Sequence, residues 1–201
     1  MKLIIFGPPG AGKGTISSFI SKEFKLNHIS TGDLIRNEVK SNSELGERMN
    51  EIITTGNLLP DDMMLELLKK QLPKDNFILD GYPRNIEQAK ELEKITNMDK
   101  IIFLVVAEEE IINRLTKRTQ CSKCKKIYGK NFPPKDPKVC DICGEEVISR
   151  SDDNEEVIKH RIDVYDEQTL PLEDYYLDKM ISIDANRKVE LVLTDVKKAL
   201  Q

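Results

Sequence analysis

The chain has 201 residues, 39% hydrophobic and 33% charged, with 31 basic against 35 acidic side chains and a formal charge of −4 at pH 7. That length predicts one domain with a sizeable core and room for small insertions, and the composition excludes a disordered or fibrous chain. The acidic balance, with a pI near 5.4, argues against a general nucleic-acid coat, and the longest apolar run, residues 101–107, is far too short to cross a bilayer.

Residues 2–6 are a short apolar run bounded by Gly7-Pro8-Pro9-Gly10. A continuous apolar run ended by turn residues reads as a buried parallel strand. It is also too short for a secretory signal. Residues 15–24 read as a helix with Ile16, Phe19 and Ile20 on one face. Residues 31–40 and 44–54 are helical in pattern, with Ser41 and Glu44 expected to form a capping box between them. Residues 61–72 form a helix opened by Pro60 and two aspartates. Residues 77–80 are a second buried strand, 85–94 a helix, 101–106 the clearest strand and 108–119 a helix. From 120 to 154 the chain holds all four cysteines and few large apolar residues, so this insertion needs a stabiliser other than a core. Helical pattern resumes over 152–170, residues 181–183 form a last strand, and Val189, Val192, Leu193, Val196 and Leu200 stripe a final helix. Strands alternating with helices predict an α/β fold with a parallel sheet.

The segment Gly7-Pro8-Pro9-Gly10-Ala11-Gly12-Lys13-Gly14-Thr15 joins a predicted strand to a predicted helix. Phosphate-binding loops require that context: glycines let amides converge on phosphates, and the helix N-terminus adds partial positive charge. Lys13 is expected to reach the β- and γ-phosphates. The strict spacing is missed by one place, because Gly14 fills the hydroxyl slot and Thr15 follows. Asp80 ends its strand at the edge where such a sheet binds ligands, suited to Mg²⁺ or its waters, though an aspartate there also serves as a simple turn former.

Cys121-x-x-Cys124 and Cys140-x-x-Cys143 are separated by residues 125–139, a spacing that fits a four-cysteine zinc site. Four protein ligands leave no open position, so such a metal is structural. Two disulfides or a redox pair are the alternatives. A cytoplasmic location, expected from the lack of a signal segment, favours the metal.

Together these motifs resemble the adenylate kinase family in its long-lid, zinc-containing form, over essentially the whole chain. The loop with Gly14 matches that family's variant. Ser30-Thr31-Gly32-Asp33-Leu34-Ile35-Arg36 resembles its AMP-site helix start, and Asp80-Gly81-Tyr82-Pro83-Arg84 with Gln88 resembles its strand-end signature. Ser149-Arg150-Ser151-Asp152-Asp153, followed by Arg161, resembles the exit from its lid. The resemblance implies a P-loop core over 1–29, 60–118 and 155–201, an NMP-binding segment over 30–59 and a zinc-binding lid over 119–154. It implies that ATP and AMP are converted to two ADP, with Mg²⁺ accompanying ATP and one structural Zn²⁺ on the cysteines, in a monomer without nucleic-acid or membrane partners.

Residue by residue, it implies that Gly10, Ala11, Gly12, Lys13, Gly14 and Thr15 hold the ATP phosphates, with Arg114 on the adenine and Arg187 near it. Arg36 and Arg84 would grip the AMP phosphate. Thr31 and Gln88 would select its base, with Asn57, Leu58, Leu59 and Gly81 adding contacts. Arg118, Arg150 and Arg161 would line the phosphoryl path, and Asp80, Asp152 and Asp153 would organise Mg²⁺ waters and the lid hinge. Of the 31 basic residues only eight are arginine, and six of those eight fall on these positions. Arginine's rigid fork grips phosphate as lysine cannot. His28 and His160 match no catalytic motif and are expected to be structural.

The chain is shorter than typical long-lid members between residues 70 and 77 and before the last helix. Ala185 stands where the family usually has glycine, near the ATP base. Within the class the rival is a UMP/CMP kinase. Thr31 favours AMP, because the pyrimidine enzymes tend to carry alanine there and usually lack a long lid. A nucleotide-switched zinc-ribbon adaptor is the rival from another class, and the balanced charge of the insertion speaks against it.

Overall fold

The computed structural model describes residues 1–41, 43–129, 132–150 and 152–201. Ser151 of the lid-exit motif lies outside the described residues. Five parallel strands form the main sheet in the order β2-β3-β1-β4-β8: β1 Lys2–Phe6, β2 Asn27–Ser30, β3 Phe77–Asp80, β4 Lys100–Val105 and β8 Met180–Asp184. The inner three strands alternate between two cores. Ile4, Phe6, Phe77, Leu79, Ile101 and Phe103 face one layer, while Leu3, Ile5, Ile78, Ile102 and Leu104 face the other. Burial on both faces explains why these strands read as unbroken apolar runs.

The first layer is covered by α2 Thr31–Lys40, α4 Asp61–Lys69, α5 Ile86–Ile95 and α8 Leu172–Tyr175, through Ile35, Leu68, Leu92 and Leu172. The second is covered by α1 Lys13–Phe24 and α9 Val189–Leu200, through Ile16, Ile20, Val192 and Val196. Each fully buried aliphatic side chain contributes about 1.5–3 kcal/mol of transfer free energy. The two layers together hold the strand ends, and the loops that leave them, in place.

A second, antiparallel sheet lies in the cysteine segment, in the order β6-β5-β7: β5 Thr119–Cys121, β6 Ile127–Tyr128 and β7 Val147–Ser149. Among the described residues its own cluster is Cys121, Tyr128, Cys140 and Val147. No helix among the described residues is long and apolar enough to cross a membrane.

Several expectations are corrected. The helix from 108 ends at Thr116 as α6 Glu108–Thr116, because residues 119–121 pair as a strand. The helix from 61 ends at Lys69, and α1 begins at Lys13, two residues before the expected start at 15. The helical stretch over 152–170 is α7 Glu155–Val164 followed by a π-helical turn over Tyr165–Thr169. The capping box at Ser41 is replaced. Ser43 caps α3 Glu44–Thr54 by accepting from the Gly46 amide, while the Ser41 hydroxyl donates back to the Glu38 carbonyl at the end of α2.

Candidate active site at the carboxyl edge of the sheet

Every α-helix among the described residues except α1 begins with chemistry that quiets its dipole: α2, α3, α4, α5, α6, α7, α8 and α9 each carry an acidic residue in the first turn. Helix α1 has none, and its N-cap is Gly12 with no side-chain cap bond. Its amide end is therefore left for an external anion. Lys13 curls back over this loop, donating to the carbonyls of Gly7 at 2.7 Å and Pro8 at 2.9 Å. Burial, then the charges of Arg84, Arg161 and Arg118, lower the Lys13 ammonium to about 7 even though Asp80 works to raise it. The position a Cβ would take on Gly14 lies 3.6 Å from Asp80 Oδ2, so the strand-end carboxylate faces the start of α1 at van der Waals range.

Arginines from five elements converge here: the ends of β3, α6 and β7, and helices α2 and α7. Arg84, just past β3, donates from Nε to the Gly81 carbonyl at 2.9 Å. Burial first, then Arg161, lowers it to about 10. Arg118 makes a two-pronged bond to Asp153, Nε to Oδ2 at 2.7 Å and Nη2 to Oδ1 at 2.5 Å. Arg161 on α7 donates to Asp152 Oδ2 at 2.8 Å. Arg150, held by Gln120 Oε1 at 2.9 Å, is pushed down to about 9 by burial and then by Arg118 and Arg36. Arg36 on α2 donates to Asp33 Oδ1 at 2.6 Å, and its buried Nε has no partner. Burial opposes the Asp152 carboxylate, but Arg161, Arg118 and Arg150 outweigh it and hold it below the usual range. Buried guanidiniums that also depress one another favour further negative charge beside them.

A small cavity beside this cluster is lined by Ile35, Ile53, Asn57, Leu58, Leu59, Met64, Arg84 and Gln88. Gln88 Oε1 accepts from the Arg84 amide at 2.8 Å, and its Nε2 donates to Asp61 at 2.7 Å, which leaves one N–H of that amide for a ligand. Thr31 is buried and donates to the Gly81 carbonyl at 2.9 Å, keeping its oxygen as an acceptor. Arg114 stands apart, fixed by Glu110 Oε1 at 2.8 Å and by the Ala185 carbonyl at 2.7 Å. Arg187 is partly exposed and pairs with Asp195 at 2.6 Å. Lys40 donates to the Ser122 carbonyl at 3.3 Å, so the 30–59 segment touches the cysteine segment.

The four cysteine sulfurs lie within 4.8 Å of one another. Cys121 and Cys143 Sγ are 3.4 Å apart, and Cys124 and Cys140 Sγ 3.5 Å. These separations are far beyond a disulfide's ~2.05 Å and near the edge of a tetrahedron whose metal–sulfur distance is about 2.3 Å. Burial works against the Cys140 thiolate, but the Tyr128 hydroxyl at 3.3 Å and the amides of Ile142 and Cys143 pull it down to about 6. The cluster could bind a metal ion.

Sequence reasoning passed over contacts that cross between distant elements. His28 Nε2 lies 3.2 Å from Asp80 Oδ2. No sequence signal announced it, because the edge strand that carries it has no apolar pattern. Tyr128 was missed because nothing in its neighbourhood marks it as a sulfur partner.

A glycine-rich loop feeding an uncapped helix, set among arginines at the carboxyl edge of a parallel sheet, defines a P-loop phosphotransferase of the nucleotide-kinase class. The family model described as adenylate kinase matches residues 5–181. The chain is 43% identical over 212 residues to an adenylate kinase of Caldanaerobacter subterraneus subsp. tengcongensis, covering 100% of this chain and 96% of that protein. It is 43% identical over 214 residues to an adenylate kinase of Carboxydothermus hydrogenoformans, with both chains covered in full (100%). A third, of Petrotoga mobilis, is 43% identical over 209 residues, covering 100% of this chain and 95% of that protein. The chain belongs to the adenylate kinase family.

Proposed function

We propose that this protein transfers the γ-phosphoryl group of ATP reversibly to AMP, giving two ADP, and so maintains the balance of adenine nucleotides. The observation that carries this reading is the convergence of Lys13, Arg36, Arg84, Arg118, Arg150 and Arg161 around an α1 N-terminus bare of acids. Two polyanions brought together repel: a pair of unit charges 4 Å apart costs about 4 kcal/mol at an effective dielectric of 20. A cluster of cations fixed in advance offsets that repulsion without reorganising.

Lys13 and the amides of Gly10, Ala11, Gly12, Gly14 and Thr15 hold the ATP phosphates, with Arg114 and Arg187 on the side of the ATP base. Arg36 and Arg84 take the AMP phosphate, and the unpartnered Nε of Arg36 supports that role. Thr31, Asn57, Leu58, Leu59, Gly81 and Gln88 receive the AMP base and ribose side. Arg118, Arg150 and Arg161 line the path of the moving phosphoryl group. No general base is required, since the AMP phosphate is already an anionic nucleophile. Asp80 suits Mg²⁺ through its waters, because its buried carboxylate faces the phosphate loop at Gly14. Bound there, the ion supplies charge neutralisation. Asp152 and Asp153 fix the hinge arginines.

Segments 30–59 and 119–154 act as two covers on a core of 1–29, 60–118 and 155–201, closing to keep water from the phosphoryl group. The Lys40–Ser122 contact supports this reading. The four cysteines hold one structural Zn²⁺, which supplies folding free energy where the lid's own cluster is small. Reduced cysteines fit a cytoplasmic location. A monomer suffices, since all the proposed groups lie in one chain, and no nucleic acid or membrane is needed.

Mixing the protein with ADP and Mg²⁺ should yield ATP and AMP in equal amounts. A coupled assay across AMP, UMP, CMP and GMP should favour AMP. ADP left unchanged, or a pyrimidine acceptor preferred, overturns the proposal.

A further inference from the structure

We infer that His160 is a positioning residue for the phosphoryl acceptor, latching the loop that receives the AMP base onto the helix that carries Arg161. This rests on the assignment of Asn57–Leu59 and Arg161 made above. The loop leaves α3 through Gly56, whose φ is +88°. A Cβ there would meet Arg161 Cγ at 3.1 Å and His160 Cδ2 and Val157 Cγ1 at 3.2 Å. The loop therefore lies directly on α7, closely enough that only glycine fits without displacing those side chains.

One residue on, the His160 Nε2–H donates to Asn57 Oδ1 at 2.8 Å. The same amide donates from Nδ2 to Thr55 Oγ1 at 3.0 Å, which turns its oxygen toward the imidazole. Asn57, Leu58 and Leu59 line the cavity that also holds Arg84 and Gln88. On the other side of the latch, Arg161 is anchored to Asp152 at 2.8 Å. Adjacent residues of one helix turn thus grip the base-receiving loop and the phosphoryl path. The imidazole sets the spacing between them when the 30–59 segment is shut. His160 touches neither nucleotide in this scheme and acts through Asn57.

The test is steady-state kinetics, with AMP and ATP varied separately, on the wild-type chain and on His160→Ala, His160→Gln, Asn57→Ala and the Asn57→Ala/His160→Ala double variant. Loss of one net hydrogen bond in His160→Ala should raise KM for AMP about fivefold, leaving KM for ATP and kcat within about twofold. His160→Gln, which restores an N–H donor, should recover most of the AMP affinity. The double variant should be no worse than Asn57→Ala alone, because the latch is already lost in that single variant. Thermal melts confirm that each variant is folded. Equal losses for AMP and ATP, a Gln variant as impaired as Ala, or additive single effects overturn the latch while leaving the kinase reading intact. A wild-type chain that cannot make ATP and AMP from ADP overturns the kinase reading, and the latch with it.

Discussion

ATP binding should draw a proton into the protein. In the free site, burial and neighbouring guanidiniums hold the Lys13 ammonium at about 7, against an ordinary 10.5. At pH 8 only about one molecule in ten then carries that proton. Polyphosphate arriving beside the nitrogen restores the charged form, and the nucleotide's own phosphates are already ionised at that pH. The uptake should be about 0.9 proton per ATP at pH 8. Because the complex holds more protons than its separated parts, ATP affinity falls as pH rises, approaching about tenfold per unit above pH 8 until the complex itself titrates. Between about 7 and 10.5 the unfolded chain binds this proton and the native free chain does not, so the free protein gains stability as pH rises through that window. Calorimetric titration with ATP, without AMP, in two buffers of different ionisation enthalpy reads the uptake from the difference in observed heats. An uptake below about 0.2 proton at pH 8 refutes the reasoning. So does a full uptake that survives Lys13→Met.

Lys13→Ala should leave the fold and melting temperature intact, since it removes a desolvated charge, and should lower turnover by several orders of magnitude; normal turnover in the folded variant would remove the P-loop assignment. Stripping the metal with a chelator at neutral pH should lower the melting temperature and leave some catalysis, while metal analysis of protein purified without chelator should find about one zinc per chain. Tyr128→Phe deletes the hydroxyl that meets Cys140 Sγ at 3.3 Å and accepts from the Asp141 amide at 2.9 Å. It should speed zinc release to a chromogenic chelator about tenfold, as loss of outer-shell support commonly does; an unchanged release rate would show that the tyrosine only packs.

The inner strands were legible because burial on both faces writes itself as an apolar run: residues 77–80 match β3, and 101–106 are displaced by one residue from β4. Strand β2 was not, since Asn27-His28-Ile29-Ser30 is an edge strand with one buried residue and carries no periodic signal. The lid strands are two or three residues long and are set by pairing partners far along the chain. The site was legible where residue type alone is restrictive, as with glycine, lysine and arginine around phosphate or cysteine pairs around metal. His28 and His160 act through partners 52 and 103 positions away, Asp80 and Asn57, and no local pattern announces such a meeting.

Among the described residues, the cluster of Cys121, Tyr128, Cys140 and Val147 shares no side chain with either layer around the main sheet. Drift in one region therefore need not be matched by compensation in the other. The cysteine module is an exchangeable part: a replacement stabilised by another ion, or by none, is expected to graft between β5 and β7 so long as Arg150, Asp152 and Asp153 stay in place.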